Sequence, residues 1–302
     1  MRLNKLILLL AIAGLAVGCG QKEASVAVRP TEVKLPTIPA ALTEPQQRAD
    51  WLNIHFWDNM DWNDTSLSLD TAFMEQSFSN YTSVMSLVDE NVAAEGVKNL
   101  LDAASQAPEG VYDYLMSIAE HYLYQADSPF LDEQLYQPFV EYALRRNPED
   151  LRAAGQLDDI KRNAPGSVAP DFSVESRDGD RFSLYNHSAE TATILMFYEP
   201  DCDRCLASIS ALQSSARLAQ AIADDAIRMV LVYQGDDVDA WRNHAATLPQ
   251  QWLVGIDSKN IIDDQELYLV RATPSFYLIA PDNRVMLKDA SPSMLFSALN
   301  LD

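Results

Sequence analysis

Basic residues are few in this chain. Lys and Arg number 22 against 44 Asp and Glu in 302 residues, a net charge of −22. A surface of that sign repels phosphate, so nucleic-acid binding is excluded. Cysteine is scarcer still, at three residues, which excludes a disulfide-rich scaffold. The four histidines, His55, His121, His187 and His244, lack ligand spacing, and one C-x-x-C pair without a second does not complete a zinc site. Beyond Cys19 no apolar run reaches membrane length, and no repeat of roughly 20–50 residues is apparent, so neither a later span nor a solenoid is expected. Apolar side chains, by contrast, are plentiful at 48%, enough for the cores of about two domains.

The chain opens on Arg2 and Lys5, followed by an apolar run from Leu6 to Val17, then Gly18 and Cys19. That order reads as an export signal, and the run is shorter than the ~20 residues of a bilayer-spanning helix. Leu15-Ala16-Val17-Gly18-Cys19 resembles the lipobox of bacterial lipoproteins, which implies removal of residues 1–18 and lipidation of Cys19. Acyl chains on Cys19 would hold the protein at an envelope membrane, at ~0.8 kcal/mol per buried methylene. Loss of Arg2 and Lys5 takes the net charge from −22 to −24. Gly20 stands where Asp is the inner-membrane retention signal of such lipoproteins, so the resemblance points to the outer membrane.

Residues 19–45 read as a tether, punctuated by Pro30, Pro36, Pro39 and Pro45 and without apolar period. Residues 46–163 read as an all-helical domain of five or six helices. Phe73, Ser77, Tyr81, Val84 and Val88 recur every three to four positions, as do Val111, Leu115, Ile118 and Tyr122, each set giving one apolar face. Asn147-Pro148-Glu149-Asp150 reads as a helix start with Asn147 at the cap. The Trp and Tyr residues at this spacing are expected in the core, and the acids, 21 against 7 bases, on a solvated face.

From residue 164 to 302 the texture changes to strand alternating with helix. Strands are expected at 172–175, 193–198, 228–233, 252–255, 275–280 and 284–287, and helices at 205–223, 238–246, 261–269 and 293–299. The implied class is α/β, a central mixed sheet with helices on both faces.

Cys202-Asp203-Arg204-Cys205 directly follows the strand 193–198 and opens the next helix. Residues i and i+3 share a helix face, which puts two sulfurs within reach of each other. The first sits where free backbone N–H groups and the helix dipole favour an anion, and a thiolate is the nucleophile. Cys202 is therefore the candidate attacking thiol and Cys205 the resolving one. Asp201 is a competing candidate for the helix cap. Arg204 favours a thiolate at Cys202 while Asp203 opposes it, so a modest lowering of the Cys202 pKa is expected.

Ala169-Pro170-Asp171-Phe172, the aromatic strand before the cysteine pair, and Thr273-Pro274 before the next-to-last strand together resemble the thioredoxin superfamily, and within it the TlpA/ResA-like envelope thiol–disulfide oxidoreductases. The preceding region resembles an uncharacterised helical domain found before thioredoxin domains in lipoproteins of Bacteroidota. The resemblance implies a thioredoxin fold over 164–302, a cis Thr273–Pro274 bond facing the cysteines, and pairing of the Thr273 backbone with a substrate peptide. It implies reduction of protein disulfides in the envelope, with no cofactor or metal and an electron donor that the sequence does not name. Met196 replaces the buried acid of thioredoxin, and Glu199 is the nearest substitute, reading more simply as an exposed turn acid. Glu199 also occupies the position where peroxiredoxin chemistry uses Thr, three residues before the reactive cysteine. The competing reading is a non-catalytic binding module on a thioredoxin scaffold.

Overall fold

The computed structural model describes residues 29–188 and 190–301. Cys19 and the stretch expected to be an export signal lie outside the described residues. The N-terminal half contains α1 (Pro45–His55), α2 (Thr65–Ser68), α3 (Thr71–Met85), α4 (Glu90–Ser105), α5 (Val111–Leu123), α6 (Glu133–Arg146) and α7 (Leu151–Lys161). That is one more than the upper expectation, because α2 is a single turn too short to show a period.

Many of the acids have structural work at helix starts. Asp70, Asp89, Asp132 and Asp150 each accept from backbone N–H groups of the first turn of α3, α4, α6 and α7. There they satisfy unpaired donors at the positive end of the helix dipole, at about 1 kcal/mol each. Asp150 rather than Asn147 caps α7, since the run Asn147–Asp150 is a turn and only Asp150 reaches the N–H groups of Arg152 and Ala153. The apolar stripes meet inside. Phe56, Phe78, Tyr81, Met85, Leu101, Leu115 and Phe139 are all buried, each contributing roughly 1.5–3 kcal/mol relative to exposure.

The stretch expected as a mobile tether is partly packed. Val33 is 4% exposed, and its N–H donates to Ser77 Oγ at 2.8 Å. Lys34 offers its carbonyl to Asn59 Nδ2 at 2.9 Å, and Glu32 its carboxylate to Asn80 at 2.7 Å. The prolines keep this stretch extended, but Val33 finds an apolar seat against α3.

The C-terminal half folds around one seven-stranded sheet: β1 (Ser173–Ser176), β2 (Arg181–Ser183), β3 (Ala192–Phe197), β4 (Ile227–Tyr233), β5 (Leu253–Ile256), β6 (Ser275–Ile279) and β7 (Val285–Lys288), in the order β2-β1-β5-β4-β3-β6-β7. β3, β4 and β5 run parallel, and β6 runs antiparallel to β3. The central strands are apolar on both faces. Ile194, Met196 and Tyr198 join one core with Met229 and Leu231, while Leu195 and Phe197 join the other with Val230 and Val232. The helices are α8 (Asp203–Ser214), α9 (Ala216–Ala223), α10 (Val238–Ala245), α11 (Ile261–Asp264) and α12 (Pro292–Ala298).

Two expectations fail for local reasons. The helix expected over 205–223 breaks at Ser215, whose side chain caps α9 by accepting from the Leu218 N–H. The helix expected over 261–269 lasts one turn, because Glu266 takes a left-handed φ of 50° and sends Leu267–Thr273 along as a loop. Among the described residues, no helix is long and apolar enough to cross a membrane.

Candidate active site

The register of β3 and β6 assembles the site. Phe197 pairs with Ser275, so the turn leaving β3 and the turn entering β6 lie side by side at one end of the sheet. The first carries Cys202 into α8 and the second carries Thr273 and Pro274, whose peptide bond is cis. The structure thus brings Cys202, Cys205, Thr273 and Pro274 together. Cys19, the fifth residue expected to have a function, is outside the described residues.

Cys202 is itself the cap of α8, with its sulfur accepting from the Cys205 N–H at 3.2 Å. Asp201 does not compete for that place. A sulfur accepting helix N–H groups is stabilised as an anion. Burial acts to raise the Cys202 thiol. Hydrogen bonds from the Cys205 thiol and N–H, from Thr273 and from the Arg204 N–H outweigh it, and Cys202 lies below the ordinary thiol value. Cys205 is fully buried. Burial first, then its hydrogen bond to Cys202 and the charge there, push its pKa up to about 12. One thiol is thus accessible and anion-prone, and the other is hidden and held protonated.

Across the groove, the Thr273 carbonyl accepts from the Cys202 thiol at 3.8 Å and from Arg204 Nη2 at 3.1 Å. Arg204 was foreseen as a charge near Cys202, and the structure adds that it occupies this carbonyl. Behind the pair the core is apolar, with Met196, Ile209, Tyr198 and Trp241 sharing it with Cys205. Glu199 is exposed, so its carboxylate does not replace the missing buried acid. A cleft of about 260 Å³ borders the site, lined by Glu199, Gln234, Asn260, Arg271 and Thr273 among others. Among the described residues, no group of three His, Cys, Asp or Glu is placed to hold a metal.

Residues 18–165 match the family model described as Domain of unknown function (DUF5106), and residues 165–288 match that of the AhpC/TSA family. The chain joins a DUF5106 domain to a thioredoxin-like AhpC/TSA domain. A thioredoxin-like protein from Bacteroides caccae superposes with a TM-score of 0.82 at 28% identity, covering 89% of this chain and 98% of that one. A conserved protein of unknown function from Bacteroides fragilis matches at 30% identity and TM-score 0.43, over 45% of this chain and 98% of its own. The thioredoxin domain of a thiol–disulfide oxidoreductase from Bacteroides vulgatus matches at 20% identity and TM-score 0.41, over 45% of this chain and 96% of its own. No curated protein matches the chain.

Sequence reasoning missed the residues that fix the thioredoxin-like domain to the DUF5106 domain beside this site. Arg271, two positions before Thr273, donates to the Tyr124 carbonyl and Glu133 Oε1, both at 2.7 Å, and to Asp289 Oδ2 at 3.1 Å. Glu133 and Asp289 are remote from it in sequence, so no local pattern carried the signal.

Proposed function

We propose that this protein is an envelope thiol–disulfide oxidoreductase that reduces protein disulfides through Cys202 and Cys205, held at a membrane by lipid on Cys19. The observation that carries the reading is the asymmetry of the pair. Cys202, capping α8 beside the Thr273 carbonyl, has the character of an attacking thiolate, and buried Cys205 that of a resolving thiol.

The Cys202 thiolate attacks one sulfur of a substrate disulfide, forming a mixed disulfide and expelling the other sulfur as a thiolate. Cys205 then attacks the Cys202 sulfur. Its proton goes to the departing substrate thiolate, the second substrate sulfur leaves, and a Cys202–Cys205 disulfide remains. The substrate gains the two electrons that the pair loses, and an external dithiol donor must return them. Thr273 presents its backbone to the substrate strand, a case of strand addition beside the reactive sulfur. Glu199, placed where peroxiredoxin chemistry uses Thr, argues for disulfide rather than peroxide as substrate.

The test is Cys205→Ser expressed in its native envelope. Mixed disulfides trapped through Cys202, together with insulin reduction by the wild type, support the reading. Absence of both favours the binding module on a thioredoxin scaffold.

A further inference from the structure

We propose that the DUF5106 domain is a positioning element of the redox site, with Glu133 and Arg271 as the positioning residues that fix the Thr273–Pro274 turn against Cys202. The proposal rests on the dithiol reading above and extends it to a domain to which no role is assigned.

The loop from Glu266 to Thr273 joins α11 to β6 and ends at the site. It is held at three places by residues of the helical half or its exit. Arg162 pairs with Glu266 at 3.1 Å. Asn163, itself in a left-handed conformation at φ 55° and 6% exposed, donates to the Leu267 carbonyl at 2.9 Å and accepts from the Leu269 N–H at 3.1 Å. Arg271 then reaches into the helical domain, with its guanidinium 4.5 Å above the Tyr124 ring and bonded to the Tyr124 carbonyl and the Glu133 carboxylate.

The far side of the turn is tied to the same cluster. Asp289 accepts from Arg271 and, at 2.8 Å, from Ser275 Oγ, so the residues on either side of Ala272–Pro274 meet on one carboxylate. Lys288 completes the cluster. It is 4% exposed at its side chain, lies 2.7 Å from Glu133 Oε2, and donates to the Asp159 carbonyl at 2.6 Å. Two cations and two carboxylates therefore balance in a shielded interface.

Such a cluster is a poor adhesive. Desolvating four charges offsets most of their attraction, and apolar contacts would join the domains as well. What it supplies is direction. The planar fork of Arg271 accepts one arrangement of partners, so docking of the helical domain selects one position for the turn. That turn carries the carbonyl in contact with both Cys202 and Arg204, and it forms one wall of the cleft beside them. The link from Glu133 to Cys202 thus runs through its bond to Arg271, along the backbone to Thr273, and across the Thr273 contact with Cys202.

The full chain carrying Glu133→Gln tests this. Gln keeps the size and removes the charge, leaving Arg271 and Lys288 with one carboxylate between them. Two readouts are taken on folded protein: the pH profile of Cys202 alkylation and the KM and kcat for a disulfide-bonded peptide. The pH profile is expected to move upward by about half a unit or more, as the Thr273 side chain, whose hydrogen bond to the sulfur lowers the Cys202 thiol, withdraws from it. KM is expected to rise roughly two- to thirty-fold with kcat less affected, and Glu133→Asp to recover part of both. Asn163→Ala, which loosens the same loop outside the ion cluster, is expected to act in the same direction and replaces Glu133→Gln if that variant does not fold. Folded variants with the wild-type alkylation profile and KM would overturn the proposal. The alkylation profile needs no substrate. A wild type without reductase activity therefore sinks the dithiol reading, while the profile alone still decides whether the helical domain positions the turn.

Discussion

Alkylation of the reduced protein measures the asymmetry of the pair directly. At pH 7 a thiol at the ordinary 9.0 is ionised in about one molecule in a hundred, whereas Cys205 at about 12 is ionised in about one in a hundred thousand. Cys202 lies below 9.0, so its thiolate is at least about a thousandfold more abundant. Abundance is not the whole rate, because a more basic thiolate is the better nucleophile. With a Brønsted slope near 0.5, a gap of about three units returns roughly thirtyfold to Cys205. The remaining preference for Cys202 is about thirtyfold, and full burial of Cys205 adds to it. The assay is a time course with iodoacetamide at pH 7 followed by trypsin and mass spectrometry. Cleavage after Arg204 places the two cysteines on different peptides, so each rate is read separately. Selectivity should fall as the pH is raised above the Cys202 value, since the Cys202 thiolate is then saturated while the Cys205 thiolate is still increasing. Rates within about threefold of each other at pH 7, on protein shown to be folded, would refute the assignment of attacking and resolving roles.

Two further outcomes follow from contacts already described or adjacent to them. Arg204→Ala frees the Thr273 carbonyl for a substrate strand. Loss of one competing hydrogen bond of about 0.5–1.5 kcal/mol should lower KM for a peptide disulfide roughly threefold, and an unchanged or higher KM in steady-state assays would count against strand pairing at Thr273. Gly96 in α4 has no room for a side chain, since a Cβ would come within 2.4 Å of Asn53 Nδ2 and 2.7 Å of Tyr81 Oη. Gly96→Ala should therefore cost about 2 kcal/mol by overpacking, a loss of roughly 5–10 °C in the melting of the helical domain, and an unaltered melting curve would contradict the close approach.

Most strands were legible because burial on both faces leaves a continuous apolar run, as at 193–198 and 228–233. β2 was not, since its three residues Arg181–Ser183 are exposed or half-exposed and carry no run. The break at Ser215 was hidden because the apolar period continues through it, and only the side-chain cap on Leu218 reveals it. The cysteine pair and Thr273-Pro274 were legible as motifs, and their meeting depended on the register of β3 with β6. Glu133 was invisible as a site residue. In sequence it is a first-turn acid of α6, and its partners Arg271 and Lys288 lie in the other domain.

The seat of Val33 against α3 has a bearing on where this protein can act. With Cys19 as the lipid anchor proposed above, no more than fourteen peptide steps, from Cys19 to Val33, separate the membrane from a residue seated in the folded body. A chain of that length spans at most about 50 Å, a short leash compared with one running free to residue 45. The redox site would then patrol a thin layer next to its membrane, and its clients would be proteins that stand in or pass through that layer.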